Sequence, residues 1–392
     1  MYLLKPRRLR SLVLSLLCLQ PAIAAAEIRF NGFLSVGGGL VDSDEATFLG
    51  FDDGFSFDTD SVFALQATAP ISDRLSATGQ LVARGVEDYD VVLEWGFLTY
   101  QATDELQLRA GRLRAPFFSF SDYLEVGYAY PFIRPPSEVY GNIPFSGVDG
   151  VDFVYTRLVA GWDASLQGYY GRFRNDIPLP GSTEREDTDI EDLGGVVLSA
   201  NRDWLTLRGG YHRADVNIFI DSNEDLATLT GFLRQFGFDG VGDTLLPTDK
   251  GGEFYQLGTQ IDYEDWLFIA EWTHLDFDPM LFTDTTGWYA TFGRRISDFT
   301  LLYTYAAEET DDEPELFAGL PPEGADPGTD LLRGGVATVA AAAQTDGESH
   351  KFGLRWDFTP GAAFKLEYQR RENNLPDGES LNVFSFVFDM VF

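Results

Sequence analysis

Apolar and polar residues alternate with a period of two along most of the chain. Leu75, Ala77, Gly79, Leu81 and Ala83 share one parity, and Ser76, Thr78, Gln80, Val82 and Arg84 the other. Phe352, Leu354, Trp356 and Phe358 alternate in the same way with Lys351, Gly353, Arg355 and Asp357. A Thr359-Pro360-Gly361 turn then leads into Phe364, Leu366 and Tyr368 against Lys365, Glu367 and Gln369. Successive side chains of a strand point to opposite faces, so each run has one apolar and one polar face.

Short polar turns recur between these runs: Ser72-Asp73-Arg74, Thr103-Asp104-Glu105, Asn201-Arg202-Asp203, Glu264-Asp265 and Ser297-Asp298. An aromatic residue or leucine follows each of them: Leu75, Leu106, Trp204, Trp266 and Phe299. The other hairpin ends are long and acidic, over 42–60, 115–147, 172–192, 215–251, 276–286 and 306–347. Strands are expected at 28–41, 60–70, 74–86, 91–101, 106–114, 149–157, 163–172 and 191–200. A second set follows at 204–214, 252–263, 266–275, 286–295, 299–307, 348–358, 363–372 and 381–392. About sixteen strands, tight turns at one end and long loops at the other define a transmembrane antiparallel β-barrel, with short periplasmic turns and long extracellular loops. Lipid offers no partner to a free strand edge, so the sheet must close on itself. A soluble two-sheet sandwich would also alternate, but would not place aromatics beside the turns, where a membrane interface needs them.

Residues 1–26 form a leader. Lys5, Arg7, Arg8 and Arg10 precede an apolar run from Leu12 to Leu19, and Ala24-Ala25-Ala26 supplies a small-residue cleavage site before Glu27. The run is too short to anchor a helix in a bilayer. Export leaves one barrel domain over residues 27–392, without its single cysteine, Cys18. The 28 Lys+Arg against 62 Asp+Glu give a formal charge of −34, which argues against a nucleic-acid partner. The hydrophobic share of 44% rules out a wholly disordered acidic chain.

Phe384, Phe386, Phe388, Met390 and Phe392 alternate up to the last residue. This ending resembles the C-terminal signal that the barrel assembly machinery reads in Gram-negative outer-membrane proteins. With Phe30-Asn31-Gly32-Phe33, Gly37-Gly38-Gly39 and Ala110-Gly111-Arg112 to Pro116, the chain resembles the Gram-negative porins. The resemblance implies a sixteen-stranded, trimeric barrel in the outer membrane, whose third extracellular loop folds into the lumen. The matching segment is 115–147, rich in aromatics and prolines, as in Pro116-Phe117-Phe118 and Arg134-Pro135-Pro136. Such a loop should be stiff and partly buried.

Strand parity then names the wall. If Leu75, Leu108, Leu207 and Leu354 face lipid, then Arg84, Arg109, Arg208, Lys351, Arg355 and Lys365 face the lumen. Asp122, Glu125 and Glu138 on the third loop would face this basic wall across the gap, giving a transverse field. The alternative is that these cations sit in ordinary lumen ion pairs. The expected function is a water-filled pore for passive diffusion of small hydrophilic solutes and ions, with no cofactor and no metal. A channel specific for an anion, sugar or dicarboxylate is the alternative. A barrel enzyme or adhesin is a further one: the three histidines, His212, His274 and His350, adjoin no Gly-x-Ser-x-Gly motif, and Ser349 and His350 must point to opposite faces of a strand. The acidic loops either concentrate cations at the mouth or hold divalent ions with neighbouring lipopolysaccharide, without any defined calcium-loop pattern. Ala340 to Ala343 reads as a mobile, low-complexity stretch of the last long loop.

Overall fold

A computed structural model describes residues 27–43, 47–178, 185–220, 224–311, 314–375 and 378–392. The leader expected over residues 1–26 lies outside the described residues.

All sixteen expected strands form. They are β1 (Arg29–Val41), β2 (Val62–Ser72), β3 (Leu75–Arg84), β4 (Val91–Gln101), β5 (Leu106–Arg114), β6 (Gly147–Val159), β7 (Trp162–Pro178) and β8 (Arg185–Arg202). The remainder are β9 (Leu205–Phe219), β10 (Lys250–Tyr263), β11 (Trp266–Phe277), β12 (Thr285–Ile296), β13 (Phe299–Thr310), β14 (Asp346–Thr359), β15 (Ala362–Asn373) and β16 (Leu381–Val391). Each pairs antiparallel with its neighbours in sequence, and the ring closes where β16 meets β1, with Val391 opposite Phe33 and Phe386 opposite Gly38. The chain is an all-β, closed transmembrane barrel. The final residue takes part in the closure, because Phe392 N–H donates to Gly32 O at 3.0 Å and Gly32 N–H donates back at 2.8 Å. Position 32 has to be glycine for this, since a Cβ there would lie 2.5 Å from the Phe392 ring.

Phe384 and Phe392 are exposed on the outer face, while Val383, Ser385, Val387 and Asp389 are buried on the inner one. On β8–β12 the outer face carries Leu198, Leu207, Leu257 and Phe292, and the inner face Val197, Gln256, Glu271 and Thr291. Aromatic rings ring the barrel at both ends of this apolar band. Trp204 with Tyr263 (centroids 5.8 Å apart), Trp266, and Phe299 with Trp356 stand beside the turns, and Tyr170, Tyr211, Trp272 and Trp288 stand towards the loops. An amphipathic ring settles at a membrane–water boundary, so these two belts mark the membrane section.

Above the upper belt the structure departs from the sequence reading. In the segment 172–192, expected to be mostly loop, residues 172–178 continue β7 and residues 185–192 begin β8. The alternation there is reversed, with Phe173, Ile177 and Ile190 buried inward and Arg174, Asp187 and Glu191 outward. A bulge between Glu191 and Gly194, with Asp192 at φ 47°, resets the register of β8. Charges on the outer face read as a loop, although they continue a strand into water.

The long connections are also more ordered than expected. Residues 215–251 contain α2 (Glu224–Gln235) and α3 (Asp239–Leu245), and 306–347 contain α4 (Pro327–Ala343); α1 (Ser137–Tyr140) lies in the inserted loop. Ala340 to Ala343 is therefore not a mobile stretch but the last turn of α4. Asp326 caps that helix, accepting from Gly328 N–H at 2.8 Å and Thr329 N–H at 3.2 Å, with proline in its first turn. Leu226, Leu229, Leu233, Val241, Leu245, Leu332 and Val336 pack together into a small helical cap at the loop end.

Candidate functional site

The connection between β5 and β6, residues 115–146, turns into the barrel and crosses it. Its apolar residues drive this burial. Phe117, Phe118, Phe120, Tyr130, Phe132 and Val139 share one core with Phe254, Leu267, Ile269, Tyr289 and Leu302 of the inner wall. Phe118 stacks on Tyr140 at 4.5 Å, and Phe120 meets Phe132 edge-on at 5.6 Å. We refer to this segment as the strap.

Polar contacts fix the strap to strands all around the ring. On β9, Arg208 Nη2 donates to Pro116 O at 2.6 Å. On β11, Glu271 accepts from Ser119 N–H and from Tyr140 OH, both at 2.7 Å. Across the lumen, Arg84 of β3 binds Glu125 at 2.8 Å and Glu94 of β4 at 2.5 Å. On β14, Arg355 donates to Tyr128 O (2.9 Å) and Tyr130 O (2.8 Å). On β15, Lys365 donates to Gly127 O (2.6 Å) and Phe132 O (2.9 Å) while paired with Asp389 at 2.9 Å. Arg134 of the strap meets Asp60 through two bonds of 2.8 Å. Glu138, wholly buried, pairs with Arg371 at 3.0 Å and accepts from Ser349. Buried charges persist only when each finds a partner, and these do. The strap also passes so close to β12 that a Cβ at Gly287 would lie 2.0 Å from Glu138 O.

Strand parity put Arg84, Arg109, Arg208, Lys351, Arg355 and Lys365 on one wall, and the structure turns each of them inward. They do not form an open basic surface. Arg109 binds Asp152, with Nε donating at 2.9 Å, and Arg355 also binds Asp357 at 2.7 Å. Lys351 and Lys365 are 3% and 1% exposed; the strap covers Lys365, while Lys351 Nζ has no hydrogen-bond partner among the described residues. The loop acids differ among themselves as well. Glu125 and Glu138 do not face the wall across a gap but bond to it directly, because the strap's apolar residues pull it into contact. Asp122 alone of the three is exposed, and it acts through space on both Arg109 and Arg208.

Arg114, Arg134, Arg371, Glu94, Glu271 and Asp389 were not singled out from sequence, yet they complete the clamp. Arg371 was within reach, since it continues the inward series Lys365, Glu367, Gln369. Glu94 binds Arg84 and Arg114 on the strands either side of it, and Asp389 binds Lys365 on the strand beside it, so these pairs depend on register between strands and not on the pattern within one strand.

The strap separates two spaces. On the loop side lies a cavity of about 430 Å³, bordered by Phe117, Phe145, Phe254, Phe277 and Ile218. On the turn side lies one of about 290 Å³, bordered by Tyr123, Tyr128, Gln260, Asp262, Arg295 and Asp357. The histidines sit apart. His212 is buried against Tyr169 OH at 2.8 Å, His274 bonds Thr286, and His350 turns outward to Tyr303 while Ser349 turns inward to Glu138. Among the described residues, His274, Asp276 and Asp284 bring their ligand atoms within 4.8 Å of one another at the loop-end rim.

No family model matches the chain, and no curated protein matches it in sequence. Solved structures do match in shape. A loop L8 deletion mutant of OmpT, an outer membrane protein of Vibrio cholerae, aligns over 93% of this chain and 99% of its own at 13% identity, TM-score 0.58. The outer membrane channel DcaP of Acinetobacter baumannii aligns over 95% and 99% at 10% identity, TM-score 0.57. The anion-selective porin from Comamonas acidovorans aligns over 93% and 99% at 10% identity, TM-score 0.55. The chain has the sixteen-stranded barrel fold of the outer-membrane porins.

Proposed function

We propose that the chain is an outer-membrane channel through which small hydrophilic solutes and ions diffuse passively, without catalysis. The observation that carries this reading is the strap, a loop drawn into a closed barrel and held there by hydrogen bonds to β9 and β11 on one side and by ion pairs to β3 and β15 on the other. Such an arrangement narrows a tube without covalent chemistry, and fixed charges at the narrowing bias which solutes pass. Likeness in fold to a channel and to a porin agrees with it.

The neutralised cations bear on selectivity. Arg84, Arg109, Arg355, Lys365 and Arg371 each have a carboxylate partner, Arg208 is held by the Pro116 carbonyl and Lys351 is buried, so the wall exposes little positive charge. Asp122 is exposed, and the loops above are acidic. A mouth of one sign raises the local concentration of counter-ions, so the channel prefers cations. In this reading Phe384, Phe386, Phe388, Met390 and Phe392 present the assembly machinery with its signal, residues 1–26 are removed on export, and the outer face meets lipid and lipopolysaccharide. A homotrimer fits this reading, since one fold relative is described in a trimer form. Planar-bilayer recordings of the purified protein should give discrete conductance steps, and proteoliposomes should swell in small sugars faster than in large ones. Silent bilayers would overturn the proposal.

A specific channel is the second reading, favoured by the apolar lining of the loop-side cavity, which a general sieve does not need.

A further inference from the structure

The inner face of a water-filled barrel is expected to be polar. Below the strap it is: Gln167, Gln256, Thr291 and Thr304 are buried there on inward positions. Above the strap the inner face is mainly aliphatic and aromatic, with Phe173, Ile177, Ile190, Val216, Ile218 and Phe254 buried beside the polar Glu186, Thr188 and His212. These residues join the strap in one core, yet the packing is incomplete, and a cavity of about 430 Å³ remains beside Ile177, Ile190, Val216, Ile218 and Phe254. Its volume falls in the range of small-molecule sites, which are mostly apolar with a few placed polar groups.

The lining defines the chemistry. Six phenylalanines, Phe48, Phe117, Phe145, Phe254, Phe277 and Phe282, border the cavity, and their faces and edges suit other rings. Arg371 and Glu308 stand at its edge but neutralise each other at 2.5 Å, so neither charge calls for a charged ligand. Thr283 and His212 border the same space, and among the described residues the buried Thr283 hydroxyl and His212 Nε2 have no hydrogen-bond partner. An unsatisfied buried hydroxyl is costly, and a ligand hydroxyl would relieve it.

We infer that the loop-side cavity is a binding site for an uncharged aromatic compound of one or two rings bearing a hydroxyl. The inference deepens the channel proposal and rests on it only for the claim that the bound compound is in transit. Bound there, the compound lies against the strap, at the threshold of the narrow section.

The test uses the full mature chain in lipid nanodiscs and 1-naphthol as the probe, with binding followed by equilibrium dialysis and saturation-transfer NMR. Wild type should bind saturably above the lipid background. Phe282→Ser, on the connection between β11 and β12 and outside the barrel wall, should weaken binding about tenfold. Ile218→Asn, at the loop end of β9, should do the same, and heat-modifiable gel migration reports whether each variant has folded. Naphthol uptake that rises linearly and equally in wild type, variants and empty discs would overturn the site. So would saturable binding that neither variant changes. Conductance recorded on the same preparations separates the two proposals: conductance without saturable binding refutes the aromatic site alone, and saturable binding without conductance refutes the channel alone.

Discussion

The two halves of the barrel wall follow opposite rules. Between the aromatic belts, β7–β12 carry Leu166, Leu198, Leu207, Leu257 and Phe292 outward and polar groups such as Gln167, Gln256 and Thr291 inward. Above the upper belt, β7–β9 carry Arg174, Asp187, Asp215 and Arg213 outward and Phe173, Ile190, Val216 and Ile218 inward. The strands stay paired on both sides of the change, which falls at register shifts near Gly171 and between Glu191 and Gly194, so hydrogen bonding does not distinguish the halves. The solvent does. Lipid accepts apolar groups and rejects charge, whereas water outside the membrane rewards charge and leaves apolar residues to pack inside. The polarity of the outer face therefore reports where the membrane ends.

The strongest way to break the contrast is to remove a buried charge that ties the strap to the lower wall. Lys365→Met leaves Asp389 buried without its cation and two strap carbonyls without a donor. Losing one member of such a pair costs about 3–5 kcal/mol. The expected outcome is a clearly lower temperature for heat-modified gel migration, with larger and noisier conductance as the strap loosens.

A matched pair of arginines on β9 probes the boundary itself. Leu207→Arg places a charge on the outer face between Trp204 and Tyr211, where the cost is about 2–4 kcal/mol. Asp215→Arg places the same side chain on the same face above the belt and should change stability by less than about 0.5 kcal/mol. Urea unfolding in lipid vesicles measures both. Equal effects would mean that the belt does not mark the membrane edge.

These experiments also separate what the sequence encodes locally from what it does not. Alternation gave the strand number and the inward facing of Arg84, Arg208 and Lys365, because a period of two is a property of one strand at a time. The inverted alternation of β7–β9 was missed because Asp187 and Glu191, outward and wet, have the composition of a loop. The helices of the cap were missed for a related reason. Leu226, Leu229 and Leu233 recur at helical spacing, but they are set among acidic and Gly-rich residues that read as connection. The pairing of Glu125 with Arg84, or Glu138 with Arg371, depends on how far the strap's aromatics draw it into the barrel, and no local pattern carries that distance.

Smaller effects are expected away from the wall. Asp326→Ala removes the cap of α4 and should destabilise that helix alone, read as faster amide exchange in α4 with the barrel unaffected. The same cap has a pH signature. Hydrogen bonds from the Thr329 hydroxyl and from the Gly328 and Thr329 amides hold the Asp326 carboxyl below its ordinary range. The stabilisation is therefore fully present above the unfolded value of about 3.9 and is lost only as pH falls through the lower, folded value. Exchange in α4 should stay constant from neutral pH to about pH 4, after correction for intrinsic rates, and rise below it.

Asp122→Asn should change stability little, because the side chain is exposed and acts on Arg109 and Arg208 only through space, and should act mainly on ion selectivity. This links the strap to transport. Reversal potentials in a steep potassium chloride gradient, recorded for wild type and Asp122→Asn, read the narrow section itself. A conducting wild type that prefers potassium, with a weaker preference in the variant, is the expected result. A folded barrel that conducts nothing, or one whose anion preference Asp122→Asn leaves untouched, would contradict the strap as the charged narrowing of a channel.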